Sequence, residues 1–280
     1  MTTAFVLSGG ANLGAVQVGM LAALAEAGVR PDVIVGTSVG AVNGAWLAAG
    51  AEPSAVASLG ELWRSLRRAD VFPTDLRLGL LGFVGRRDHL VSNRGLRALL
   101  ARHLRFDRIE DAPIPLHLVA TDVLTGTGVV MSSGSAIDAV LASAAIPGVL
   151  PPVLVGGRPL MDGGTLNNTP ISHAVDLGAT EIWVLTTGVA CALERPPTSA
   201  LGMALHGISL AVNQRVAVDV ERFHDRCELR VVPPLCPVRT SPTDFSQAGV
   251  LMDRARASTK EWLASPSSFD VTDVLAPHAH

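Results

Sequence analysis

The chain has 280 residues, 48% hydrophobic and 17% charged, where an average globular protein carries about 25% charged residues, and this composition excludes a disordered chain. Twenty-two Lys+Arg against 25 Asp+Glu leave a formal charge of -3 with no basic block, so a nucleic-acid partner is not expected. Lys260 is the sole lysine, which argues against a lysine Schiff base or a phosphate-loop lysine.

Taken in chain order, residues 4–8 read as a short apolar strand entering a glycine-rich turn, and residues 15–27 as a helix ended by Gly28. Residues 32–35 form a β-branched strand, 36–40 a sharp turn, and 41–49 an alanine-rich helix closed by Gly50. The segment 70–93 departs from this alternation, with Leu76, Leu78, Leu80, Leu81, Phe83 and Val84 beside Arg77, Arg86 and Arg87. Its composition suits a cap, a lipid-contacting insertion, or an insertion folded onto the body. Residues 116–120 and 128–131 read as strands, 135–145 as a helix, and 151–155 with 159–161 as a hairpin around Gly156-Gly157. Residues 171–176 suit a helix, 182–186 a strand, 200–223 a long helix, 228–232 a last strand, and about 245–263 a final helix. Strands alternating with helices predict an α/β fold, a mostly parallel sheet with helices on both faces. No boundary interrupts the pattern, and residues 1–280 are read as a single domain.

Cys191, Cys227 and Cys236 show no C-x-x-C spacing and leave one thiol over if two pair, the pattern of free thiols in a reducing compartment. No charged residue precedes Glu26, yet no basic region opens the chain, and Gly9, Gly10, Asn12, Gly14 and Gln17 interrupt the apolar run. A signal peptide is therefore not expected. Residues 33–51 and 139–157 are also uncharged, but a glycine-flanked serine turn breaks the first and Pro147, Pro151 and Pro152 break the second. Neither is expected to cross a bilayer, and the chain is expected in the cytoplasm, with peripheral membrane contact as an option.

The sharpest chemical signal is Gly36-Thr37-Ser38-Val39-Gly40, a G-x-S-x-G between an apolar strand and a helix. A serine on such a turn projects its hydroxyl, the glycines clear the approach, and the helix N-terminus favours developing negative charge. Ser38 is the candidate nucleophile. A second glycine-rich turn, Ser8 to Gly14, lacks the lysine of a phosphate loop and the acidic partner of a dinucleotide site. Its free backbone N–H groups suit an oxyanion hole, with Gly9, Gly10 and Ala11 as donors; a tight turn with no further role is the alternative. Among eight histidines none stands out as a base. Asp162, in Met161-Asp162-Gly163-Gly164, is the better candidate, although an Asp-Gly-Gly is also a common turn. A carboxylate with an ordinary pKa is a weak base toward an alcohol, so this pairing requires a partly dry site.

These three pieces, in this order, resemble the bacterial patatin-like phospholipase family. Thr121-Asp122 with Thr125-Gly126, residues 142–148 with Pro151-Pro152, and Asn167-Asn168 with Pro170 are similar to the family's patterns as well. The resemblance covers about residues 4–187. It implies a three-layer α/β/α fold, a Ser38/Asp162 dyad, an oxyanion hole at Gly9, Gly10 and Ala11, no metal or organic cofactor, and hydrolysis of acyl esters in phospholipids, lysophospholipids or other lipid esters. Where the family has Gly-Gly-Gly-x-Arg/Lys-Gly, this chain reads Gly9-Gly10-Ala11-Asn12-Leu13-Gly14. A Cβ at Ala11 is strained if that position needs a positive φ. The altered loop leaves two alternatives beside hydrolysis: a weakly active regulatory or interaction protein on the same fold, and an acyltransferase using the same dyad.

Overall fold

The computed structural model describes all residues except 74, 188–195, 199, 236, 237, 239, 241, 242 and 266–280. The elements run β1 (Thr3–Leu7), α1 (Gly14–Glu26), β2 (Val33–Thr37), α2 (Val39–Ala48), α3 (Pro53–Ser65), α4 (Arg68–Val71), α5 (Leu76–Phe83) and α6 (Arg94–His103). They continue with β3 (Leu116–Asp122), β4 (Gly128–Met131), α7 (Ala136–Ser143), β5 (Val153–Val155), β6 (Arg158–Asp162), α8 (Gly164–Asn167) and α9 (Ile171–Asp176). The last are β7 (Glu181–Leu185), α10 (Ala200–Phe223), β8 (Glu228–Val232) and α11 (Ala248–Ala264). Cys191, Cys236, His278 and His280 lie outside the described residues.

The alternation of apolar side chains along each strand sorts the core into two layers. On β1, Ala4 and Val6 face one side while Phe5 and Leu7 face the other; β7 repeats this with Ile182 and Val184 against Trp183 and Leu185. The first side is covered by α9 and α10 through Ile171, Ala174, Val216, Val220 and Phe223. The second is covered by α1, α2, α7 and α11, with Leu21, Leu24, Leu47, Leu141, Leu251 and Met252 in the core. This is the three-layer α/β/α arrangement expected from the sequence. Helix α1 is apolar nearly all round and accordingly buried, with α3 and α11 packed against it.

Strands β3, β2, β1, β7 and β8 are neighbours in that order and all parallel. Of the antiparallel strands, β4 and β6 attach to β3, and β5 pairs with β6. Pairing of Leu118–Thr121 with β4 occupies one edge of β3. The other edge is shared: β2 holds it as far as Thr37 opposite Val119, and β6 takes over with Asp162 opposite Ala120. The chain leaves β2 at Ser38, at the point where Asp162 arrives.

Five helices, α3, α4, α5, α6 and α8, have no helical counterpart in the sequence reading. Helix α3 opens on Pro53 and buries Ala55, Val56, Leu59 and Trp63, a helical spacing hidden among small residues; α6 is rich in arginine and buries Leu96 and Leu100. In the 70–93 segment, α5 leaves Leu80 exposed, and the strand-like stretch behind it is fixed to the body by Leu90 and Val91, whose N–H groups donate to the Val149 carbonyl.

Candidate active site

Strand β2 is buried throughout and ends in a forced turn. Ser38 has φ 56°, one of two non-glycine residues with positive φ among the described residues, a conformation that costs roughly 1–2 kcal/mol. The turn packs tightly: a Cβ on Gly40 would fall 2.2 Å from the Leu7 carbonyl oxygen, so only glycine lets α2 start this close to β1. Ser143, at the end of α7, stabilises the turn. Its Oγ accepts the Ser38 N–H at 2.9 Å and donates to the Val119 carbonyl at 2.6 Å.

Ser38 Oγ donates to Asp162 Oδ2 at 2.6 Å across 124 residues of sequence. The second carboxylate oxygen, Oδ1, accepts the Gly164 N–H at 2.7 Å, so both oxygens are held and the carboxylate plane is fixed. The glycine after Asp162 is required by contact, since a Cβ on Gly163 would lie 2.3 Å from the Val119 carbonyl oxygen. Both Ser38 and Asp162 are buried. Burial pushes the Asp162 carboxyl up to about 6 from its ordinary 3.8, against the opposing pull of the hydrogen bonds from Ser38 and Gly164. The carboxylate is thereby a stronger base while remaining ionised at neutral pH. Among the described residues no histidine hydrogen-bonds Ser38; His117 pairs instead with Ser132 at 2.6 Å.

The glycine-rich loop follows β1, at the same end of the sheet as Ser38. The structure narrows the set of donors expected there. Gly9 does not offer a free N–H, because it donates to the Asn168 carbonyl at 3.1 Å. Its own carbonyl accepts from Thr187 Oγ1 at 2.6 Å and Asn168 Nδ2 at 3.3 Å. Gly9 therefore anchors the loop. The N–H groups of Gly10 and Ala11 have no acceptor among the described residues.

A buried polar chain supports the loop from below. The Gln17 amide donates to the carbonyls of Ser8 and Leu185 at 2.8 and 3.0 Å, Asn43 donates to Gln17 Oε1 at 3.0 Å, and the Trp63 indole donates to Asn43 Oδ1 at 2.9 Å. Each polar group in it is satisfied, as burial demands. The sequence reading assigned no role to Ser143, Asn168, Thr187, Asn43 or Trp63. Ser143 and Asn168 fall in stretches similar to the family's patterns, which is the one signal that could have marked them.

Residues 5–175 match the family model described as patatin-like phospholipase. The chain belongs to the patatin-like phospholipase family. It is 32% identical over 187 residues to Patatin-like phospholipase domain-containing protein 7 of Mus musculus, which covers 66% of this chain and 13% of that protein. It is 29% identical over 217 residues to Lysophospholipase nte1 of Aspergillus terreus, 75% of this chain and 13% of that one. The chain thus spans about 13% of the length of these curated relatives. Among solved structures, VipD from Legionella pneumophila shares the fold, with a TM-score of 0.51 and 16% identity over 94% of this chain and 67% of that chain.

In this member of the family the altered loop has a measurable consequence. Ala11 sits at φ 51°, the left-handed region in which its Cβ is strained. Restoring glycine, Ala11→Gly, removes that strain at some cost in unfolded-chain entropy. The variant is expected to gain about 0.5–1 kcal/mol of stability, read as a higher urea midpoint at unchanged slope. Asn12, one residue on, ties the loop to the segment before α11 by donating to the Asp244 carbonyl at 2.7 Å.

Proposed function

We propose that this patatin-like phospholipase hydrolyses acyl esters of lipids through Ser38 and Asp162. The observation that carries the reading is the 2.6 Å hydrogen bond between a strained serine and a buried carboxylate whose pKa is raised to about 6. Asp162 takes the proton of Ser38 as Oγ attacks the ester carbonyl. The carbonyl oxygen becomes an oxyanion, held by the N–H groups of Gly10 and Ala11 and favoured by the N-terminus of α2 directly behind Ser38. When the tetrahedral intermediate collapses, the alcohol leaves with the proton from Asp162, and the acyl group remains on Ser38. Asp162 then deprotonates a water that attacks the acyl-enzyme, and the fatty acid departs with Ser38 restored.

The substrate class is read from the family and from the name of the fungal relative, a lysophospholipase. Phospholipids, lysophospholipids and other lipid esters are the proposed substrates, met at a membrane surface by a peripheral protein. No helix among the described residues is long and apolar enough to cross a membrane. Residues 1–280 are read as one catalytic domain, with 70–93 as an insertion seated on residues 148–149 through Leu90 and Val91.

The test is fatty-acid release by the purified chain from lysophosphatidylcholine, from phosphatidylcholine vesicles and from soluble esters of rising chain length. Release from at least one lipid ester, with the acid and not a new ester as product, is expected. Transfer of the acyl group to an added alcohol in preference to water would make the protein an acyltransferase. Cleavage of none of these esters would leave a regulatory or interaction role on the same fold.

A further inference from the structure

The most exposed apolar side chains inside the sheet region belong to one corner. Leu124 is 80% exposed, Leu154 70% and Val123 41%. They come from two separate elements that meet: the Val123 N–H donates to the Pro159 carbonyl at 2.9 Å, and Pro159 is the register partner of Leu154 in the β5–β6 hairpin. The corner lies at the catalytic end of the sheet. Val123 follows the C-terminus of β3, which is parallel to the β2 strand that delivers Ser38. Along β3 it stands three residues beyond Ala120, the partner of Asp162, which is about 10 Å.

Charge in this corner is already neutralised. Within residues 122–130 and 153–160 the charged side chains are Asp122 and Arg158, and they pair with each other at 2.7 Å. Asp122 is further held by the N–H groups of Leu124 and Thr125 at 2.8 and 3.1 Å, which fixes the turn that presents Leu124. The corner is therefore rigid, apolar at its tip and free of uncompensated charge. A stable protein–protein interface uses about 20–30 residues a side, far more than this tip offers. A shallow seat among lipid head groups and upper acyl chains needs no matching surface.

We infer that Val123, Leu124 and Leu154 form a docking tip that seats in the interfacial layer of a zwitterionic phospholipid bilayer, presenting the catalytic end of the sheet to the membrane. The inference deepens the lipid reading of the Ser38 site and rests on it for the occupant. The uncharged tip makes binding insensitive to salt, unlike adsorption through basic residues.

The test uses the full chain carrying Ser38→Ala, so that lipid is not consumed, and measures co-flotation with phosphatidylcholine vesicles. Adding Leu124→Asp and Leu154→Asp is expected to lower the bound fraction about tenfold or more, while the parent binds equally at low salt and at about 1 M salt. Leu124→Trp with Leu154→Trp is expected to bind more tightly, with tryptophan emission shifted to the blue on vesicles. Failure of the parent to bind, or equal binding by the Asp variant, overturns the inference. So does binding abolished by high salt, which would place the contact at Arg86 and Arg87 beside the exposed Leu80 and Val84. A dimer seen by sizing and lost in the Asp variant would make the tip a self-contact and overturn it as well. Hydrolysis of a soluble short-chain ester by chains that retain Ser38 is measured in parallel and is expected to be unaffected by the Asp pair. Its absence from every form counts against the hydrolase reading alone, since vesicle binding is read without turnover.

Discussion

Ser38→Ala is expected to lower kcat for a soluble ester by at least about 10⁴-fold, the scale seen when a nucleophile is removed from a site of this type. The reason is that no other hydroxyl is placed to replace it. Among the described residues the Asp162 carboxylate has a single hydroxyl donor, Ser38, and the nearby Ser143 Oγ is committed to the Val119 carbonyl. The fold should survive, because β2 and α2 keep their buried contacts and the Ser38 N–H keeps its acceptor in Ser143. Alanine inherits the strain of φ 56°. Removing the hydroxyl also removes one of the two hydrogen bonds that hold the Asp162 pKa down, so the carboxyl of the variant titrates higher than in the parent. A loss of activity together with a wild-type circular dichroism spectrum is the expected pair of results, with a urea midpoint at pH 8 somewhat below that of the parent because the carboxylate has lost a donor. An Ala variant with substantial residual kcat would place the nucleophile elsewhere.

Asp162→Asn separates catalysis from stability. The amide cannot take the Ser38 proton, and a positioned general base contributes about 10²–10⁴-fold, so a drop of roughly 10³-fold in kcat is expected. Stability moves the other way. The carboxyl has an ordinary value of 3.8 and titrates near 6 when folded. Between those values the native state holds a proton that the unfolded chain has released, so wild-type stability falls as pH rises through this window. Above about pH 6 the whole penalty is present, on the order of 3 kcal/mol for a shift of this size. Asparagine carries no such penalty. The variant is therefore expected to be more stable than wild type at pH 8, with the advantage shrinking toward zero below about pH 4. Urea denaturation at pH 4, 6 and 8 checks the sign. Wild-type kcat/KM for a soluble ester is expected to rise through pH 6 as Asp162 ionises. A flat profile there would remove Asp162 from the base role. An active site that is less stable because its base is kept dry is an instance of function opposing stability.

The pair at the centre of this account was legible in the sequence because both residues announce themselves locally. Ser38 and Asp162 are each flanked by glycines that close backbone contacts require, and such contacts leave a trace in composition. Their juxtaposition was legible only through the family resemblance. It depends on β2 and β6 sharing one edge of β3, with Thr37 and Asp162 opposite adjacent residues, and no periodicity encodes a shared edge. The glycine-rich loop shows the same divide. The glycine-rich turn could be read directly, whereas the commitment of Gly9 to Asn168 and Thr187 involves partners 159 and 178 residues away. Ala11 was identified as a position that would be strained at positive φ, and only the backbone reveals that φ is 51°. The layers followed from the alternation of strands with helices along the chain and from the family resemblance. Helix α3 escaped because its apolar positions, Ala55, Val56, Leu59 and Trp63, are mixed with Ser54, Ala57, Ser58 and Gly60, which blur the helical period.

The central claim is that Ser38 is made nucleophilic by Asp162. Peptide mass spectrometry of the protein after reaction with a fluorophosphonate at pH 8 tests it most directly, with Asp162→Asn treated alongside. A phosphonyl adduct is expected on the Ser38 peptide of wild type, with a labelling rate lower by orders of magnitude in the variant. An adduct on another residue, or equal labelling of both proteins at Ser38, would contradict it.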